Sequence, residues 1–224
     1  MLTVHHLNNS RSQRVLWLLE ELGVSYEIKY YQRGADLRAP AELRAIHPLG
    51  KSPVVTDNGN AIAESGAIVE YVVGTYGNGR LIPPAGTPER LRYTYWLHYA
   101  EGSAMSPLLQ KLLFTLLPQR APFLMRPVVG AVAGQVLRTV VNPALAQHMN
   151  FWEGELGKSA WFAGNDFTAA DIQMSFPLEA AATRAGLEIG HPRAMAFLER
   201  IHGRPAYQRA LERGGPYQLA GGKS

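Results

Sequence analysis

The chain has 224 residues, 46% of them hydrophobic and 18% charged, which fits one or two folded domains with a sizeable core and excludes a disordered polymer. Its 22 Lys and Arg face 18 Asp and Glu, and the basic residues are scattered rather than run together, a poor nucleic-acid signature despite a pI near 9.4. The chain lacks cysteine, which excludes disulfides, zinc–thiolate and iron–sulfur sites and a protein thiol nucleophile, so any sulfur chemistry must bring its own sulfur.

The opening residues, MLTVHHLNNSRSQR, lack the basic start, apolar run and small-residue cleavage site of a secretory signal. A soluble, cytoplasmic protein is expected. Leu2 and Val4 alternate as a short strand, and Val15, Leu18, Leu19 and Leu22 then recur at helical spacing up to Gly23, a C-terminal cap. Tyr26, Ile28 and Tyr30 alternate as a second strand, and a short helix from Glu42 to Ile46 ends before His47-Pro48. Val54-Val55 and Ala61-Ile62-Ala63 flank Asp57-Asn58-Gly59-Asn60, which reads as a hairpin, and Ile68, Tyr71, Val72 and Tyr76 mark a closing helix. The order βαβ-α-ββα gives one small mixed sheet with helices on it.

Gly and Pro interrupt residues 77–88, GNGRLIPPAGTP, as a linker. Beyond it no stretch alternates, and the second half reads all-helical. Leu91, Tyr95, Leu97, His98 and Glu101 begin a long helix expected to break near Leu117-Pro118, with Tyr95, Trp96 and Tyr99 packed inside. The apolar stretch Pro127 to Val141 carries Arg138 and falls short of the ~20 residues that span a bilayer, so a buried or interfacial helix is expected and no membrane partner. Thr168-Ala-Ala-Asp171 fits a capping box, with Phe167 and Ile172 placed for a hydrophobic staple, and further helices follow around Thr168 to Ala182 and Met195 to His202. His5 and His6 point to opposite faces of a strand, and His98 and Glu101 have no second pair, so no metal site is expected.

A small α/β half followed by an all-helical half, with Asn9-Ser10-Arg11 after the first strand, Lys51-Ser52-Pro53-Val54 before a hairpin and Glu64-Ser65 opening a helix, resembles the cytosolic glutathione transferases. IHPLGKSP (46–53), AESGAIVEY (63–71) and FTAADIQMS (167–175) are most similar to the bacterial and fungal branch. The resemblance covers nearly the whole chain. It implies a thioredoxin-like glutathione-binding domain (1–78), a linker (79–87), an all-helical domain (88–224), and a cytoplasmic homodimer acting in detoxification. Its partners are then glutathione, as co-substrate, and a small electrophile, with no nucleic acid.

The family aims a Ser, Tyr, Cys or Asn near the end of the first strand at the glutathione sulfur, and Ser10 stands at the matching place; Asn9 and Ser12 are its rivals. A thiol of pKa ~8.5 is only ~3% thiolate at pH 7, and lowering it by ~2 units takes about 2.7 kcal/mol. One charge-assisted hydrogen bond supplies roughly 1.5 to 3 kcal/mol, so backbone N–H groups at the next helix start are expected to help. The same hydroxyl also fits a plain N-cap. For the rest of glutathione the resemblance implies Ser65, as an N-cap, on the γ-glutamyl carboxylate, Glu64 on the ammonium and Lys51 on the glycine carboxylate. A cis Pro53 then turns the backbone of Ser52 toward the cysteinyl peptide. Glu101 is expected to reach the γ-glutamyl ammonium held by the partner subunit. Phe114, Phe123 and Met125 are candidates to line the site of an apolar co-substrate. The same site also suits a glutathione-dependent peroxidase or disulfide reductase, or a glutathione-binding regulatory protein without turnover.

Overall fold

In the computed structural model, which describes residues 1–34, 39–215 and 217–220, the first alternation builds β1 (Leu2–Leu7) with Leu2 and Val4 buried. β1 pairs in parallel with β2 (Tyr26–Tyr31), Leu2 opposite Tyr26, and antiparallel with β3 (Val54–Asp57), Val4 opposite Val55. β3 turns through Asn58 and Gly59, both at positive φ as a tight hairpin turn requires, into β4 (Asn60–Ala63), giving the order β2-β1-β3-β4. The crossover between the parallel strands is α1 (Ser12–Leu22), which ends at Gly23 with φ 64°, a left-handed cap that glycine adopts without steric cost. A short α2 (Ala41–Ile46) precedes β3, and α3 (Ser65–Tyr76) closes the unit. The Asp57 carboxylate accepts hydrogen bonds from Tyr71 and Tyr76 and so ties the hairpin to α3. This is the expected α/β arrangement.

The rest of the described chain is helical. α4 (Pro88–Tyr99), capped where the Thr87 hydroxyl accepts the Arg90 N–H, runs through a π-helical turn at Ala100–Ala104 into α5 (Met105–Arg120). A 3₁₀ turn at Phe123–Met125 reverses the chain into α6 (Arg126–Val136), and a second π turn at Leu137–Val141 leads into α7 (Asn142–Glu155). α8 (Ala169–Arg184), α9 (Pro192–His202), α10 (Pro205–Gly214) and a 3₁₀ turn at Gln218–Ala220 complete it. α8 is buried along Ala169–Ala181 and is the central helix. Its start is fixed by Asp171, whose carboxylate accepts the Thr168 and Phe162 N–H groups, while the Phe167 ring packs against Trp17 and Trp161.

α10 lies against α1 and binds the halves together: Arg204 forks onto Glu21 at 2.6 and 2.9 Å, and Arg209 and Arg213 reach Glu20. The Trp17 ring of α1 packs edge-on to Tyr207 of α10.

Three expectations are corrected. α5 continues through Pro118 to Arg120, because a proline this close to a helix end removes a single intrahelical bond. The interruption lies earlier, in the π turn. The apolar stretch is part of a continuous helical run, Phe123–Glu155, of 33 residues, long enough to cross a bilayer by length and composition. Its inner side, Ala133, Val141, Leu145 and Trp152, packs in the core, while Phe123, Val128, Val132 and Val140 face outward. Of the aromatic trio on α4, Trp96 and Tyr99 are buried, whereas Tyr95 is exposed and stacks on Tyr99.

Candidate functional site

The site begins where β1 gives way to α1. Asn9 takes a positive φ of 50°, which turns the chain sharply and tucks Ser10 beneath the first turn of α1, only 4% exposed. The Ser10 hydroxyl accepts the Ser12 N–H at 3.2 Å, and its Oγ lies 2.7 Å from Ser12 Oγ and 3.1 Å from Ser52 Oγ. Ser12 is fully buried and committed on the far side, to His6 Nδ1 at 2.9 Å and to the Leu7 backbone. Asn9 faces elsewhere, accepting the Gln218 N–H of the C-terminal turn. Of the three, Ser10 is thus nearest to Ser52 and the cleft beyond it, and it also serves the start of α1 by accepting a backbone N–H.

That cleft has a volume of about 180 Å³ and is lined in part by Lys51, Ser52, Pro53, Glu64, Ser65 and Glu101. Arg11, His47 and Leu49 line it too, and these three lay outside the sequence expectation. The Ser52-Pro53 peptide is cis, and Lys51 is exposed at the edge. Glu64, not Ser65, occupies the cap position of α3: its carbonyl accepts the Ile68 N–H, and its φ of 69° is a left-handed conformation uncommon for a residue with a Cβ. Ser65 is therefore the first residue of α3, and its N–H is among the free donors at the helix N-terminus.

Beneath Ser65 lies Arg14, with a side chain only 2% exposed. It donates to the Gln173 carbonyl of α8, to Ser65 Oγ at 3.1 Å and to Glu101, so one guanidinium joins α1, α3, α8 and the turn after α4. Glu101, 29% exposed, also accepts Arg11 Nε at 3.0 Å. Burial opposes the Glu101 charge, but Arg14 and Arg11 outweigh it and hold the carboxyl below the usual range. Burial pulls Arg14 down, against the attraction of Glu101. His6 is also lowered by burial, partly offset by a hydrogen bond to the Gly214 backbone, and burial with the nearby charge of Lys29 lowers His5. Both imidazoles are neutral at pH 7.

The described structure thus brings six of the nine expected residues to one cleft and sets Ser10 behind Ser52. One expectation is corrected: Glu64 rather than Ser65 caps α3. Glu101 is held within its own chain by Arg11 and Arg14 and lines its own chain's cleft. Phe123 and Met125 lie at the far end of α5, roughly 30 Å of helix away from Glu101, so they line no part of this cleft; Phe114 is packed against the core. Nothing local in the sequence announces a buried arginine at position 14.

A family model described as the glutathione S-transferase N-terminal domain matches residues 1–74, and one for the C-terminal domain of the same family matches 105–205. The chain is 34% identical to glutathione S-transferase 3 of Schizosaccharomyces pombe, over 95% of this chain and 88% of the relative. It is 31% identical to glutathione S-transferase 1 of Saccharomyces cerevisiae, over 95% of each. Among solved structures, a glutathione S-transferase from Actinobacillus pleuropneumoniae superposes with a TM-score of 0.81 at 32% identity, covering 98% of this chain and 96% of that one.

Proposed function

The chain belongs to the glutathione S-transferase family of enzymes, and on that premise we propose that it transfers the glutathione thiolate to an electrophilic carbon of a small, largely apolar co-substrate. The observation that carries this reading is the single cleft that collects a cation, a free helix N-terminus and two carboxylates beside a buried hydroxyl. Glutathione has two carboxylates and one ammonium. Lys51 suits the glycine carboxylate, and Ser65 with the free N–H groups of α3 suits the γ-glutamyl carboxylate. Glu64, exposed and unengaged by the arginines that hold Glu101, is the natural acceptor for the ammonium. The left-handed backbone of Glu64 fits such a role, because uncommon conformations gather where a side chain must be aimed.

Ser10 is the proposed donor to the sulfur. Its lone pairs already receive the Ser12 N–H, which polarises the hydroxyl, and its own proton, with Ser12 Oγ at 2.7 Å and Ser52 Oγ at 3.1 Å as neighbours, turns from them toward a thiolate lying past Ser52. Residues 1–78, joined by Glu101, supply this site, residues 88–224 frame the co-substrate side, and the working unit is a homodimer.

The test is Ser10→Ala assayed with glutathione and a chromogenic aryl halide. A loss of roughly tenfold or more in kcat/KM, with the pH of half-maximal conjugation moved upward, is the expected result. If rate and pH profile stay unchanged while Asn9→Ala or Ser12→Ala disturbs them, the neighbour holds the role. Turnover of peroxides or disulfides, with none of aryl halides, transfers the same site to the reductase reading. A single species near the 24.6 kDa chain mass in light scattering refutes the dimer.

A further inference from the structure

The hairpin of α5 and α6 carries a feature unrelated to the cleft. At its tip three consecutive large apolar residues, Phe123, Leu124 and Met125, point outward, the first two 78% and 86% exposed. Isolated exposed leucines are ordinary, but three in a row on a protruding turn, with outward Val128 following them on α6, form a contiguous apolar cap. The charges around it are all of one sign. Arg120 closes α5 and Arg126 opens α6, both exposed, and no acidic residue occurs anywhere between positions 102 and 152. The four cations in that stretch equal the net charge of the whole protein, +4, so the remainder carries 18 basic and 18 acidic residues and is neutral. Arg126 donates to the Ala121 and Gln119 carbonyls, and neither it nor Arg120 makes an ion pair among the described residues.

We propose that this tip docks the protein onto an anionic phospholipid surface: Phe123 and Leu124 enter the boundary between headgroups and acyl chains while Arg120 and Arg126 sit at the phosphates. The charge pattern selects this partner. An apolar cap ringed only by arginines is repelled by a second copy of itself and complements a negative sheet. A tip of three apolar residues with basic flanks has the composition of a surface anchor rather than of a spanning segment. The inner side of the same helical run is committed to the protein core, with Trp152 and Leu145 buried, so the run lies along the protein and presents its tip together with the outward valines Val128, Val132 and Val140. The cleft of Glu101 lies at the opposite end of α5, so docking leaves it open to solvent.

The experiment is flotation of the full chain with vesicles of phosphatidylcholine alone or mixed with phosphatidylglycerol, at low salt and at about 1 M salt, where the screening length is about 3 Å. Expected is binding to the mixed vesicles, little to the neutral ones, and release by salt. Phe123→Ser with Leu124→Ser should lower partitioning at least tenfold. Arg120→Gln with Arg126→Gln should lower it roughly fivefold per residue, on anionic vesicles only. Both variants should keep the melting temperature and the conjugation rate of the parent, since none of these residues touches the cleft. Equal binding of parent and tip variant, binding indifferent to phosphatidylglycerol, or no binding to either vesicle overturns the proposal. A tip variant that turns a dimer into a monomer in light scattering also overturns it, by assigning the cap to a second copy. None of these outcomes depends on whether Ser10 activates glutathione.

Discussion

Replacing Arg14 by Met keeps the bulk of the side chain and removes its charge and donors. Three contacts go with it, to the Gln173 carbonyl, to Ser65 Oγ and to Glu101. A hydrogen bond to or from a charged group is worth about 1.5 to 3 kcal/mol, and deleting one partner of a buried ion pair costs about 3 to 5 kcal/mol, chiefly because the other charge is left behind. Glu101 is 29% exposed and keeps Arg11, so the lower end of that range, about 3 kcal/mol, applies. For a chain of this size that lowers Tm by roughly 6 to 12 °C. Urea melts of Arg14→Met, Glu101→Gln and the double variant measure the coupling directly: the double variant should cost less than the sum of the singles by about 1 to 3 kcal/mol. A single-variant cost below about 1 kcal/mol, or strict additivity, refutes the view that this guanidinium ties the α/β half to the helical half.

Ser65→Ala should weaken glutathione binding by about 1 to 3 kcal/mol in titration calorimetry, through one lost charge-assisted contact; equal affinity in mutant and parent removes Ser65 from the site. His5 and His6 are buried and lowered below the ordinary value of about 6.5, so the unfolded chain takes up their protons first as the pH falls. Their contribution to stability is complete above about pH 6.5 and is lost as the pH drops through the folded-state values. Tm measured from about pH 8 to 5 should fall on the acid side, and His6→Asn should flatten that fall; parallel curves for parent and variant would contradict the assignment. Glu179 accepts Tyr207 at 2.7 Å, Tyr217 at 2.8 Å and His202 at 3.1 Å while almost fully buried, so Glu179→Leu, which strands three donors, should cost about 3 kcal/mol or more. A loss under about 1 kcal/mol would mean that the three donors find other partners.

Local signals carried the fold far. Gly23, the Asp57 to Asn60 turn and the Thr168 to Asp171 box each act within a few residues, and a window of sequence sees all of what decides them. The cleft residues were legible because they arrive as three spaced motifs. Arg14 was not: its partners lie 51, 87 and 159 residues away, and an arginine on the face of a helix otherwise reads as solvated. The arginines on Glu101 were illegible for the same reason, since Arg11 and Arg14 approach it only after the two halves have docked. The cap of Ser65 failed differently. Serine is the favoured capping residue by propensity, yet the chain enters α3 through a left-handed Glu64, and the shift by one position turns Ser65 from an acceptor capping its own helix into a hydroxyl facing Arg14 and Glu101.

The α5–α6 tip shows the opposite kind of blindness. Apolar composition reports that a segment avoids water, not what shields it, so Pro127 to Val141 read equally well as core or as interface. The fold divides the segment by face: Ala133 and Val141 turn inward because α6 and the following turn lie on α5 and α7, and the residues half a turn away are covered by nothing among the described residues. An exposed Leu124 or Phe123 gains no stability for the monomer. Both stand between two arginines, in a stretch of 51 residues free of acidic side chains, an arrangement that the proposed lipid surface would receive. The cleft at the other end of α5 needs its arginines paired, and Glu101 pairs them; the tip leaves Arg120 and Arg126 without carboxylates among the described residues. Basic side chains paired for structure at one end of a helix and left unpaired at the other separate what holds this protein together from what it offers to a surface.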